Sequence, residues 1–461
     1  MSVTKVTIST NDSADELSPE FAAFLPEAKP DKWDLPLKLI IVAALALLVM
    51  VNIRYKAFIP LVGLAESHGI SAMLVRPSIL WFGMGSLLLV FRTFLWFTYR
   101  PHGPATLENA PRMTVIIPAY NEGPMVARSI DSVANANYPP DRLEIIVVDD
   151  GSKDDTWLHI QDAVARHGDR VRAIRLDRNQ GKREALAAGF RRGKGEIFVT
   201  VDSDSVVGPN ALLALAGPFA DERIGVVAGR VLVYNRHEGL IPRMLHVRFT
   251  LSFDFLRAYQ STFGTVYCSP GALSGYRASA VKMVLEPWLK QEFLGARATI
   301  GEDRALTNDI MRLGYDSVYQ RRATVLTIVP VTYGKLCRML LRWDRSYVRE
   351  ELRFATIVWK RPPVARMIAV LDSAITNLRY PVMLSTFLLL GAAFYHDPRT
   401  LLRVLAAVGL VSCIYSLFYL RSERSFNIVY GIVFEYFSFF FLFWIFPWAV
   451  LTVRVRGWLT R

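Results

Sequence analysis

The sequence predicts an α/β domain with a mostly parallel sheet, carried between transmembrane helices at both ends and accompanied by interfacial helices. Three observations point there. Between Arg112 and about Thr324, short β-branched apolar runs alternate with amphipathic helical stretches, the pattern of strand–helix–strand units with right-handed crossovers. Hydrophobic residues make up 52% of the 461, and they concentrate in long runs at both ends, unlike a uniformly soluble chain. Successive strands end in polar, acidic or glycine-containing turns, at the carboxyl edge where open α/β sheets bind ligands.

Residues 1–34 are polar, partly acidic and rich in Ala, Pro and Ser, without a basic start leading straight into an apolar core. They read as a mobile tail, with an interfacial piece near Phe21 to Phe24, and not as a secretory signal. Residues 35–100 read as a transmembrane hairpin built from Leu37 to Val51 and Ile79 to Phe97. Arg92, close to one end of the second segment, is expected to snorkel to the interface. Residues 108–330 are expected to form the α/β domain, with strands at Met113 to Ile117, Leu143 to Val148, Val171 to Leu176 and Ile197 to Val201. The helices between them are Val126 to Ala136, Thr156 to Arg166 and Arg183 to Arg192. Residues 331–375 are interfacial. In the helix Lys335 to Phe354, Arg338, Arg342, Arg345, Arg349 and Arg353 share one face, to meet lipid headgroups or to wall a diphosphate site. Residues 376–453 return to apolar segments: Pro381 to Phe394, Leu401 to Leu420, and Ile428 to Val453, the last holding Glu435, which should face protein or water. Three crossings there would leave Arg454, Arg456 and Arg461 outside, against positive-inside counting, so a fourth crossing or a re-entrant piece within Phe426 to Val453 is expected.

The formal net charge is +13, which suits anionic substrates or an anionic bilayer surface; nucleic acid fits poorly with several membrane-length segments. Cys268, Cys337 and Cys413 are far apart, with neither metal-ligand spacing nor a disulfide framework, as expected in a reducing compartment.

The chemistry-bearing stretches lie at the strand ends. The strand Ile197 to Val201 runs into Asp202-Ser203-Asp204, whose two carboxylates face the same way if the extended geometry persists. Such hard oxygen ligands suit Mg²⁺ or Mn²⁺ against a diphosphate; the plain alternative is an Asx turn. Pro118, lacking an N–H, is expected to end the first strand before Ala119-Tyr120-Asn121-Glu122. Asp149 and Asp150, in Asp149-Asp150-Gly151-Ser152, can accept hydrogen bonds from a nucleoside. Lys182, in Gly181-Lys182-Arg183, opens a helix whose N-terminus suits phosphate. In Gly301-Glu302-Asp303-Arg304, before the helical stretch Ala305 to Leu313, one carboxylate is a candidate general base; the plain reading is acids placed to suit the helix dipole.

In this order, and with Arg342-Trp343 followed by Ser346-Tyr347-Val348-Arg349-Glu350, these motifs resemble the inverting family-2 glycosyltransferases of GT-A fold, and among them processive membrane synthases such as hyaluronan and chitin oligosaccharide synthases. Gly457-Trp458-Leu459-Thr460-Arg461 is similar to their terminal gating element, so residues 454–461 are expected to act as a gating loop. The resemblance implies a UDP-sugar donor, a growing polysaccharide acceptor, a β-linked product, Mg²⁺ or Mn²⁺, and a multi-pass inner-membrane location with a cytosolic catalytic domain. It assigns Asp303 as base, Asp204 with Asp202 to the metal, and Trp343, Glu302 and Cys268 to the acceptor. Tyr120, Glu122, Asp149, Asp150, Lys182, Asp202, Arg342, Trp458, Thr460 and Arg461 are assigned to UDP. A chitin-oligosaccharide or other exopolysaccharide product, or transfer to a lipid carrier, stays open. Met339 stands where the family usually has Gln, Leu459 where it has Gly, and Cys268-Ser269-Pro270-Gly271-Ala272 replaces the hyaluronan-type Ser-Gly-Pro segment.

Overall fold

The computed structural model describes residues 32–57 and 77–455. The expected tail up to residue 31, the hairpin loop over 58–76, and Trp458, Thr460 and Arg461 lie outside the described residues.

The strands are β1 (Met113–Ala119), β2 (Leu143–Asp149), β3 (Val171–Arg175), β4 (Ile197–Thr200), β5 (Ser205–Val207), β6 (Ile224–Val233), β7 (Ser274–Arg277), β8 (Glu292–Phe293), β9 (Ala296–Arg297) and β10 (Asp316–Thr327). Eight of them form one sheet in the order β3-β2-β1-β4-β7-β6-β10-β5, and β8 and β9 make a separate hairpin. The half from β3 to β4 is parallel, as expected. Beyond it β7 runs antiparallel to both β4 and β6, β10 is parallel to β6, and β5 closes the edge antiparallel to β10. Strands β1, β2 and β4 are buried on both faces, so they read as continuous apolar runs, whereas the edge strand β3 is only partly covered.

Pro118 does not end β1: it pairs in register with Val148, and the strand reaches Ala119. The Ile116 carbonyl accepts from Val201 N–H at 3.1 Å and the Ala119 carbonyl from Asp150 N–H at 2.8 Å. Backbone groups alternate sides, so Pro118 faces the β4 side, where pairing stops at Ile116 and no donor is needed.

The helices are α1 (Asp34–Arg54), α2 (Pro77–Thr98), α3 (Met125–Ala134), α4 (Thr156–His167), α5 (Lys182–Arg192), α6 (Ala211–Ala216), α7 (Leu240–Thr250), α8 (Ala258–Ser261), α9 (Ala278–Leu289), α10 (Glu302–Arg312), α11 (Tyr333–Ile357), α12 (Pro363–His396), α13 (Arg399–Glu423), α14 (Ile428–Phe437) and α15 (Ile445–Leu451). A π-helical turn, Leu251–Arg257, joins α7 to α8. Helices α1 and α13 are long and apolar enough to cross a bilayer, and they carry exposed Leu39, Ile40, Met50, Leu410 and Leu417. Two bent pairs, Pro363–Ser385 with Phe387–His396 and Ile428–Leu442 with Ile445–Leu451, turn through 45° and 48°.

Arg92 does not snorkel. It is buried, 2.7 Å from Asp372, donates to Thr376, and lies 5.2 Å from the Tyr259 ring centroid. With its charge compensated inside the protein, there is no need to reach water. The α11 arginine stripe is likewise largely absorbed by protein. Arg345 donates to the Thr452 hydroxyl at 2.9 Å, Arg349 to Glu350 at 3.0 Å, and Arg353 to Glu350 and Asp309 at 2.8 Å each. Neither a lipid-facing stripe nor a continuous cationic wall survives; Arg338 is exposed and Arg342 is the member that faces the site.

Candidate active site

The site sits where β4 ends, under α10 and against α11. Helix α5 begins at Lys182, which projects across the strand ends. Its ammonium donates to Asp202 and lies 2.9 Å from Glu302 Oε1. Burial works against that charge, but the two carboxylates hold the Lys182 pKa well above its usual value. Gly271 packs directly on this pair: a Cβ there would stand 2.8 Å from Lys182 Nζ and 3.4 Å from both Asp202 carboxylate oxygens. A side chain at this position would have to displace the Lys182 ammonium from its two carboxylates. Lys182, Thr200, Gly271, Tyr276, Glu302 and Asp303 border a cavity of about 10 Å³, room for roughly one water.

Glu302 and Asp303 open α10 after Gly301, which takes a left-handed φ of 70°. A Cβ on Gly301 would fall 1.7 Å from Ser346 Oγ, so this glycine sets how closely the acidic turn approaches α11. The two acids are driven apart electrically. Burial raises both, but at Glu302 the Lys182 ammonium overrides it and holds the carboxyl at about 2. At Asp303 burial is joined by the Glu302 charge, and together they push it up to about 6 despite Lys182 and the Arg304 N–H that donates at 2.7 Å. Adjacent acids pushed in opposite directions are a recurring feature of acid–base sites, and of structural ion-pair networks as well. Arg342 also lowers Glu302, and Cys268, half-buried and raised by burial, is raised further by the Asp303 charge. Trp343 is exposed, its ring 6.0 Å from Phe249.

The other expected residues are placed as follows. Asp202 and Asp204 do not share a direction. The strand stops at Thr200, and a turn closed by Ser205 N–H on the Asp202 carbonyl sends Asp202 to Lys182. Asp204 accepts from the hydroxyls of Thr327 at 3.3 Å and Ser205 at 3.4 Å. The extended geometry fails because the chain must reverse into β5. Glu122 accepts from the Ser203 hydroxyl at 2.8 Å, which ties the first polar turn to this one, and half-buried Tyr120 lies between β1 and that contact. Asp150 grips the loop before Lys182, accepting from Gln180 N–H at 2.7 Å and Gly181 N–H at 2.8 Å. Fully buried Asp149 accepts from Ser152 N–H at 3.0 Å and pairs with Arg175 at 3.2 Å. Both acids therefore shape the turns around the site. Sequence reasoning missed Gly271, noted only for its segment's departure from the family, and Trp288, whose indole N–H donates to the Glu302 carbonyl at 3.0 Å.

Among the described residues no group of three or more His, Cys, Asp or Glu is placed to hold a metal. The described residues thus offer the two carboxylates of the turn, a donor set that fits Mg²⁺ or Mn²⁺ when substrate phosphates complete the shell.

Comparison with known proteins agrees with this arrangement. Residues 114–285 match the pattern of glycosyl transferase family 2. The chain is 32% identical over 328 residues to an N-acetylglucosaminyltransferase of Mesorhizobium japonicum, an alignment covering 70% of this chain and 76% of the relative. It is 35% identical over 282 residues to a hyaluronan synthase of Streptococcus pyogenes, covering 60% and 66%. A mannosyltransferase from Pyrobaculum calidifontis, solved with GDP-mannose and Mn²⁺, shares the fold at a TM-score of 0.57 and 22% identity, over 78% of this chain and 97% of that one. The sheet is therefore of GT-A type, its motifs stand in the expected order along the strand ends, and the chain belongs to glycosyl transferase family 2.

Proposed function

We propose that this glycosyltransferase is a membrane-embedded, processive, inverting synthase that joins UDP-activated sugars into a β-linked polysaccharide and passes the product across the bilayer. The observation that carries the reading is Asp303: a carboxyl raised to about 6 beside the Lys182–Glu302 pair, at the carboxyl edge of the sheet and against the Arg342-Trp343 helix. In the reaction the ionised Asp303 accepts the proton of an acceptor hydroxyl as that oxygen bonds to the anomeric carbon. The bond from this carbon to the phosphate oxygen breaks, its electron pair leaving with UDP, so one displacement inverts the centre. Lys182 and Arg342 bring cations to the side where the diphosphate departs. A Mg²⁺ or Mn²⁺ ion held by Asp204, with Asp202 nearby, would supply further neutralisation of that charge. Trp343 offers a flat apolar face to the acceptor sugar.

The helices support the membrane reading. At one end of α1, Asp34 accepts from Tyr430 at 2.5 Å; past the other, the Ala57 carbonyl accepts from Arg403 at 2.6 Å, near the start of α13. The bent α14–α15 segment is tied at one end through Tyr430 and at the other through Thr452 to Arg345. Both ties lie on the catalytic side, which favours a re-entrant piece over a further crossing and places Val455 near α11.

The test is purified full-length protein in lipid nanodiscs, given single and paired UDP-sugars with Mg²⁺ or Mn²⁺, with UDP release and product size measured. Metal-dependent release with polymer formation is expected. No turnover with any UDP-sugar, or a single sugar on an organic-extractable lipid, would overturn the proposal.

A further inference from the structure

One turn of α11 carries a carboxylate that the reaction does not use. Asp344 follows Trp343, is half-buried, and accepts no hydrogen bond and makes no ion pair among the described residues. Facing it are Arg248 from α7, Arg379 from α12, and Arg304 from α10. Arg304 is already matched by Glu351 at 3.3 Å. Arg248 and Arg379 are exposed and have no carboxylate within 4.0 Å among the described residues. Arg248 instead lies 4.9 Å from the Phe434 ring, and Arg379 lies 4.7 Å from the Tyr380 ring and donates to the Tyr380 hydroxyl at 2.7 Å. Glu435 of α14, also accessible, lies within electrostatic reach of the same two arginines and likewise makes no hydrogen bond or ion pair among the described residues. Burial pushes Asp344 up to about 6 against the pull of the three guanidinium groups, which leaves it mostly ionised at neutral pH.

Aromatic faces flank these charges. Trp343 lies 6.0 Å from Phe249 on one side; on the other, Tyr347 lies 5.9 Å from Tyr380, which stacks on Phe446 at 3.5 Å. Flat apolar faces alternating with charged donors and acceptors are what a sugar chain needs, its C–H faces against rings and its hydroxyls against charged groups. A half-buried carboxylate that accepts no hydrogen bond among the described residues, as Asp344 is, also calls for a ligand or water to complete it.

From this we infer that Asp344, Arg248, Arg379 and Glu435 form an acceptor-chain subsite beyond Trp343 that selects a neutral glycan over one carrying uronate carboxylates. Two cations are balanced there by two carboxylates, so an uncharged chain meets acceptors and donors with no net field. A uronate reaching the arginines would come up against Asp344 and Glu435, a like-charge contact that suppresses the wrong partner. The inference rests on the synthase reading above and deepens it toward a product made of neutral sugars.

The test measures binding of two oligosaccharides of similar length to the full-length protein in nanodiscs at low ionic strength, without donor. The probes are a β-linked N-acetylglucosamine pentamer and a uronate-alternating hexamer, followed by calorimetry and tryptophan fluorescence. The wild type should favour the neutral probe by about tenfold or more. Asp344→Asn or Glu435→Gln should narrow that ratio, chiefly by strengthening the uronate-bearing probe; a purely structural role would weaken both probes together. Two variants are used so that a folding defect in one, seen by thermal melting, leaves the other decisive. Equal or tighter binding of the uronate-bearing probe by the wild type overturns the inference, as does binding of neither probe or an unchanged ratio in every folded variant. UDP release on the same preparation separates the two claims: turnover without the preference removes only the subsite, and absence of turnover removes the synthase reading.

Discussion

Replacing Glu302 with glutamine should move the acidic limb of the pH–rate profile to lower pH. Asp303 stands at about 6 because of burial first and the Glu302 carboxylate second. Glu302, at about 2, is charged throughout the range in which Asp303 titrates. The amide keeps the volume and removes that charge. Two like charges about 6 Å apart at an effective dielectric near 20 repel by about 3 kcal/mol, which sets a ceiling of about two pH units. Asp303 is only partly buried, so about one unit is the expected shift. Releasing Lys182 from one of its two carboxylates acts in the same direction, because Lys182 already lowers Asp303. The sign follows from the role: a base works ionised, activity falls as pH drops through its pKa, and a lower pKa keeps the enzyme active in more acidic buffer. The assay is UDP release from about pH 4.5 to 8.5 at constant ionic strength, with the limb midpoint read separately from its height. A midpoint that stays or rises would refute the reasoning, and a drop in height alone would place Glu302 in binding rather than in tuning the base.

Asp303→Asn should lower turnover by about 10²–10⁴ while UDP affinity, measured by calorimetry, is kept. Because the folded-state pKa is raised from 3.8 to about 6, the carboxylate's charge costs stability that grows as pH rises between those values and is constant above; the variant should therefore melt no lower than wild type at pH 8, and any advantage should vanish near pH 4. Arg92→Leu strands the Asp372 carboxylate and should destabilise by about 3–5 kcal/mol, and Arg92→Leu with Asp372→Leu should recover most of the loss in thermal melts. Gly301→Ala combines the left-handed φ of 70° with a 1.7 Å approach to Ser346 and should cost about 1–3 kcal/mol, partly returned by adding Ser346→Gly.

The parallel half of the sheet was legible because its strands are short apolar runs separated by helices, and the order of polar strand ends pointed to the candidate site. The antiparallel half was harder to read. Ile224–Val233 is a buried apolar run that periodicity alone does not separate from a helix, and β7 holds only Ser274–Arg277. Local reasoning failed where distant partners decide the outcome. Pro118 is tolerated because its neighbour strand diverges, and Arg92 stays inside because Asp372 lies 280 residues away. Asp202 turns toward Lys182 because β5 reverses the chain, a fact carried by pairing with Val325–Thr327 and not by the tripeptide. The motif singled out Asp303 as a candidate base, but its split from Glu302 depends on Lys182, which reaches the pair only through the fold.

Arg230 of β6 is buried 2.7 Å from Asp254 in the π-helical turn and 2.7 Å from Glu423 at the end of α13. Asp254 also accepts from Tyr319 at 2.8 Å and from Ser422 at 3.1 Å. The catalytic sheet and a bilayer-length helix therefore share one ionic lock. Cutting the chain after residue 330 to obtain a catalytic fragment would strip Arg230 of Glu423 and Asp254 of Ser422, leaving the buried Arg230–Asp254 pair with one carboxylate and one hydroxyl fewer than in the whole chain. Such a fragment should melt below the whole chain, and biochemical work on this enzyme is best begun from the whole chain.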